Sequence, residues 1–178
     1  MSDLPSPREA LFETTPEGLV RKDDGWFIVN ARDAAWRVNE KFGAFCSFEG
    51  EMKFPHYGIN LHVIQPGQPN CHYHGESAQE DFLVLSGECL VIIDGQERRL
   101  KQWDFVHCAP WTDHVFVGSG SGPCALLMVG ARNLPEELRY PVNEIAKKHG
   151  ASAQSFTTDP SVSYEGCPKS APSKPVDW

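Results

Sequence analysis

The chain has 178 residues and a mass of 19.8 kDa, enough for one domain that buries roughly 70% of its unfolded surface. It is 40% apolar and 22% charged, the balance of a globular protein. The net charge of -8 and the pI near 5.3 argue against nucleic acid or an anionic membrane as partner, and no apolar run approaches the ~20 residues that span a bilayer.

Residues 1–20 are rich in Pro, Glu and Ser and read as an N-terminal arm. They hold no basic segment followed by an apolar one, so no secretory signal is expected and the cytoplasm is the expected compartment. Short β-type runs follow: Trp26 to Val29, Ala44 to Phe48, Ile59 to Ile64, Asp81 to Leu85, Cys89 to Ile93, Asp104 to Cys108, His114 to Val117, and Ala125 to Val129. Turn signals separate them, among them Pro66-Gly67, Ser86-Gly87 and the Gly/Ser run from Ser119 to Gly122. Asp94-Gly95, set between an apolar run and Glu97 to Leu100, is a strong hairpin signal. Many short strands at regular spacing predict an all-β architecture, either a closed barrel or two packed sheets. Pro135 to Leu138 can make one turn. Pro141 to His149 reads as a short helix, with Lys147, Lys148 and His149 in its last turn and Gly150 as its stop. Residues 151–178 read as an extended tail, pinned by Trp178, and residues 21–150 as the single folded unit.

None of the six cysteines lies at CxxC spacing, so neither a zinc ribbon nor a thioredoxin site is expected. Several sit inside apolar runs and read as reduced core residues. Only Cys71, beside His72 and His74, is a plausible site-lining thiol.

The chemistry gathers at residues 70–88, NCHYHGESAQEDFLVLSGE. In a strand His72 and His74 would face one way and Tyr73 the other. Imidazoles suit Zn, Fe, Ni, Cu or Mn, and an added carboxylate moves the preference toward harder, six-coordinate metals. Glu76 and Glu80 both compete for that carboxylate role. His114, which opens a strand after a Pro-containing turn, is the natural further ligand.

With these residues in place, the sequence resembles the cupin superfamily of small jelly-roll β-barrels. The first motif would be Gly67, His72, His74, Glu80 and Gly87, and the second Trp103-Asp104, Pro110 and His114. The resemblance spans about residues 58 to 130. It departs from the family in the five residues between His74 and Glu80, one more than usual, and in Trp111-Thr112-Asp113, where a Gly commonly sits. The resemblance implies a jelly-roll barrel, to which the residues add a short C-terminal helix and extended termini. It further implies one divalent transition metal (Zn, Fe, Mn or Ni) on His72, His74, Glu80 and His114. Glu80, Phe82 and Val84 share a face, so parity favours Glu80 as ligand and leaves Glu76, expected on a loop, as a general base. His62 is expected in the pocket wall, His107 as a packed residue, and Tyr73 and Trp111 near the barrel mouth. The expected function is a metal-dependent enzyme of oxygenase, isomerase or lyase type on a small metabolite. The alternative is a non-catalytic barrel that binds a small ligand or sugar. The resemblance also implies a homodimer, with apolar Leu83 and Leu85 on the covered face.

Overall fold

A computed structural model describes residues 8–132, 135 and 137–178. In chain order it contains β1 (Phe12–Thr15), β2 (Gly18–Arg21), β3 (Trp36–Asn39), β4 (Gly43–Cys46), β5 (Tyr57–Ile64), β6 (Gly75–Glu76) and β7 (Glu80–Ser86). There follow β8 (Glu88–Ile93), β9 (Gln96–Lys101), β10 (Phe105–Cys108), β11 (His114–Ser119), β12 (Cys124–Ala131), β13 (Leu138–Arg139), α1 (Glu144–Lys148), α2 (Pro160–Ser163) and β14 (Ala171–Ser173). Seven strands pair in the order β10-β7-β12-β5-β4-β3-β14, and three in the order β11-β8-β9. All their pairings are antiparallel. The architecture is an all-β jelly-roll barrel.

Period-two alternation builds the core. Ile64, Phe82, Val84, Leu126 and Met128 of the large sheet meet Cys89, Val91 and Phe116 of the small one. The rings of Phe82 and Phe116 lie 4.6 Å apart. On the other side of the small sheet, Ile92, Val115 and Val117 pack on Tyr73, Ala151 and Ala146 of α1. The strand β11 is therefore covered on both faces. The hairpin at Asp94-Gly95 forms with both residues at positive φ (45° and 71°), and Ile93 pairs with Gln96. Asn143 caps α1 by accepting from the amides of Ile145 and Ala146, and Gly150 follows at φ 65°.

The termini differ from expectation. The described part of residues 1–20 is no free arm: β1 and β2 form a hairpin. The run Trp26 to Val29 forms no strand; only Trp26 makes a bridge, to Glu9. Residues 1–7 of the expected arm, and Glu136 of the expected turn at 135–138, lie outside the described residues. The C-terminal segment is extended only in part, since it contains α2 and adds β14 to the edge of the large sheet. Trp178 stacks on buried Trp36 at 5.2 Å, with the Arg32 guanidinium 3.7 Å from its ring. No helix among the described residues is long and apolar enough to cross a membrane.

Candidate metal centre

His74 and His114 face each other across a two-way backbone bridge. The His74 amide donates to the His114 carbonyl (3.1 Å) and the His114 amide to the His74 carbonyl (2.8 Å). Their rings lie 5.0 Å apart. Each ring is oriented the same way: the His74 Nδ1–H donates to the His72 carbonyl and the His114 Nδ1–H to the Thr112 carbonyl, both at 2.9 Å. A carbonyl can only accept, so the proton sits on Nδ1 and the Nε2 lone pair is left to bind a cation. Glu80, the first residue of β7, completes the group, and ligand atoms from His74, Glu80 and His114 all lie within 4.8 Å of one another.

Burial pushes the His114 imidazole down to about 3, reinforced by neighbouring His74; burial likewise lowers His74. Both rings are therefore neutral near pH 7. His114 Nε2 then points a lone pair at Glu80 Oε2, 3.2 Å away. Two acceptors aimed at each other call for a cation or a shared proton between them. A two-imidazole, one-carboxylate donor set is chemically suited to a divalent transition metal.

His72 is not brought to this group. The expected strand parity needs a ladder through residues 72–74, and there is none. The His72 amide donates to the Tyr164 hydroxyl (3.1 Å) and the Tyr73 amide to the Ala151 carbonyl (2.6 Å). His72 instead stacks on Tyr164, with ring centroids 4.6 Å apart. Its Nδ1–H donates to Ser163 Oγ (3.1 Å), and its Nε2 accepts from Lys41 Nζ (2.9 Å). Tyr73 is buried, and its hydroxyl accepts from the Gly95 amide.

Glu76 is not on a loop. It lies in β6, opposite Leu138 of β13, and its carbonyl accepts from the Trp111 amide at 2.7 Å. Its carboxylate and that of Glu80 both lie against Gly130, where a Cβ would stand 3.7 Å from Glu76 Oε1 and 3.9 Å from Glu80 Oε1. Cys71 Sγ is 3.6 Å from His74 Nδ1; burial, aided by the carboxylates of Glu80 and Glu76, raises its thiol far above the usual range. His62 lines a cavity of about 570 Å³ together with Phe42, Phe45, Asn70, Cys71 and Tyr164. His107 points the opposite way and pairs with Asp81 at 2.7 Å, half exposed rather than packed.

Several neighbours of the site had no local sequence signal. Tyr140 stacks on His74 at 5.8 Å, and Tyr164 meets Tyr140 edge-on at 5.7 Å. Asp113, next to His114, is held by Arg139 Nε at 2.7 Å, while Arg139 Nη2 donates to the Trp111 carbonyl. That clamp fixes the turn that delivers His114.

Residues 60–130, which carry Glu80, His114 and most of the barrel, match the family model described as the cupin domain. This stretch of the chain carries a cupin domain. Among solved cupin neighbours, a sugar phosphate isomerase from a cupin superfamily of Silicibacter pomeroyi superposes with a TM-score of 0.52 at 20% identity. The match covers 75% of this chain and 90% of that one, and the likeness is one of fold. A putative sugar phosphate isomerase from Acidithiobacillus ferrooxidans gives a TM-score of 0.48 at 24% identity, over 53% of this chain and 62% of that one. This cupin thus spans under two thirds of that neighbour's length. No curated protein matches the sequence.

Proposed function

We propose that this cupin holds one divalent transition metal (Zn, Fe, Mn or Ni) on His74, Glu80 and His114 and catalyses proton transfer on a small polar metabolite. The observation that carries the reading is the convergence of two Nδ1-protonated, neutral imidazoles and one carboxylate within 4.8 Å. Such a metal, when bound, supplies Lewis-acid polarisation of a substrate oxygen. The protein's own groups do the rest. We assign the substrate to the cavity of Phe42, Phe45, Cys71 and Tyr164, which adjoins the site through Cys71 Sγ, 3.6 Å from His74 Nδ1. Glu76 lies alongside Glu80 and takes or returns a proton as general base. Paired carboxylates suit isomerase or lyase chemistry better than oxygenation, in keeping with the isomerase name of the Silicibacter pomeroyi neighbour. The test is turnover of candidate hydroxy-carbonyl metabolites before and after chelation, with single metals added back. Activity that is lost on chelation and restored by one metal supports the proposal; activity indifferent to chelation overturns it.

A second reading is ligand binding without turnover. The aromatic walls of the cavity favour it, since flat apolar faces suit a sugar ring. A tight ligand recovered chemically unchanged from the metal-loaded protein selects this reading.

We also propose a cytoplasmic homodimer. Six free thiols fit a reducing compartment. The outer face of the large sheet carries Phe105, Leu83, Leu127 and Leu61 as successive cross-strand neighbours, and exposed Trp103 lies just before β10. Phe105 and Trp103 are exposed and Leu83 and Leu127 half-buried, whereas Leu61 and the expected Leu85 pack on the chain's own Trp36 cluster; a second copy would cover the exposed end of this row.

A further inference from the structure

Lys41, His72, Ser163 and Cys167 form a second polar cluster, on the far side of His72 from the metal group. Lys41 Nζ lies 2.9 Å from His72 Nε2 and 3.6 Å from Cys167 Sγ, and Cys167 Sγ lies 3.8 Å from His72 Nε2. The other ring nitrogen of His72 is fixed by Ser163 Oγ at 3.1 Å. Nucleophile, imidazole and orienting hydroxyl thus stand in a line, with an ammonium donating to both the imidazole and the sulfur. All four residues line one cavity of about 580 Å³, together with Ser152, Gln154 and Ser155.

The other thiols lack this setting. Cys46, Cys89, Cys108 and Cys124 are buried in the two cores. At Cys71 burial, and after it the charges of Glu80 and Glu76, opposes thiolate formation. Cys167 alone among the six combines partial exposure with a cation at hydrogen-bonding distance for sulfur.

We propose that Cys167 is a reactive thiol which hydroperoxides oxidise reversibly to the sulfenic acid, with Lys41, held in place by His72, as its activating cation. The Cys167 thiol releases its proton to water, and the thiolate attacks the terminal oxygen of a hydroperoxide, ROOH. The S–O bond forms, the O–O bond breaks, and RO⁻ leaves. It takes a proton from the Lys41 ammonium, which is reprotonated from water. Sulfur loses two electrons and the peroxide gains them, so the net change is Cys-SH + ROOH → Cys-SOH + ROH. Two equivalents of a small thiol R′SH return the cysteine, giving R′SSR′ and water.

The full-length protein is treated with limiting hydrogen peroxide in the presence of dimedone, which traps sulfenic acids, and the adducts are located by peptide mass spectrometry. The first adduct is expected on Cys167. Its rate should fall at least about tenfold in Lys41→Met and stay within about threefold in Lys41→Arg, where the positive charge is kept. A first adduct on any other cysteine, or an unchanged rate in Lys41→Met, overturns the proposal. Should Lys41→Met fail to fold, limiting iodoacetamide on the native wild-type protein decides: Cys167 is expected to be the first of the six cysteines alkylated, and earlier alkylation of any other cysteine contradicts the proposal.

Discussion

His114 is committed to a single protonation state by its surroundings: burial keeps it neutral, and the Thr112 carbonyl keeps its proton on Nδ1. The same logic holds for His74, so the two rings act as paired ligands rather than as acids. His114→Ala, His74→Ala and Glu80→Gln should each reduce bound metal to near zero, whereas His72→Ala should leave it in place; elemental analysis of the four purified variants distinguishes these outcomes. Glu76→Gln should retain metal and lower turnover by roughly 10²- to 10⁴-fold, the range for loss of a general base. Buried histidines also set an acid limit. Burial pushes His62 and His72 to about 4, against about 6.5 in an unfolded chain. Below pH 6.5 the unfolded state therefore takes up protons that the folded state refuses, and stability declines as pH falls from about 6.5 toward 4. The slope should be about 1.4 kcal/mol per pH unit for each such histidine, read from urea melts of metal-free protein at several pH values. A constant stability from pH 7 to 4.5 would sink this account of the two rings.

At the scale of elements, local chemistry decided what could be read from the sequence. The β7, β8 and β12 strands announce themselves through alternation, and the β8–β9 hairpin through Asp94-Gly95, because each signal lies within a few residues of its effect. Gly87 is similar: it turns β7 into β8 at φ 74°, and a Cβ there would collide with the Pro123 carbonyl. Gly87→Ala should cost about 1–3 kcal/mol in a urea melt, from backbone strain together with that collision. By contrast, the placement of His72 depends on Tyr164 and Ala151, far along the chain, and no pattern near residue 72 encodes it. Glu76 becomes a strand residue only because Leu138 pairs with it. The β1–β2 hairpin was hidden because its strands, FETT and GLVR, lack a clean apolar face and their turn is an unremarkable Thr-Pro-Glu-Gly.

The whole molecule has two kinds of surface. The C-terminal segment closes one end of the barrel, laying Tyr164 on His72 and Phe42. The outer face of β10 and β7 offers Phe105, 63% exposed, and half-buried Leu83 to solvent. If a second copy covers that face, Phe105→Glu with Leu83→Glu should convert the dimer to a monomer in light scattering while the circular dichroism spectrum is retained. A monomeric wild type would remove the basis for that face as an interface. A metal held on His74, Glu80 and His114 should show in the metal content of untagged protein purified from metal-replete cells. About one divalent transition metal per chain is expected, lost in His114→Ala. Metal-free protein under those conditions would contradict the account.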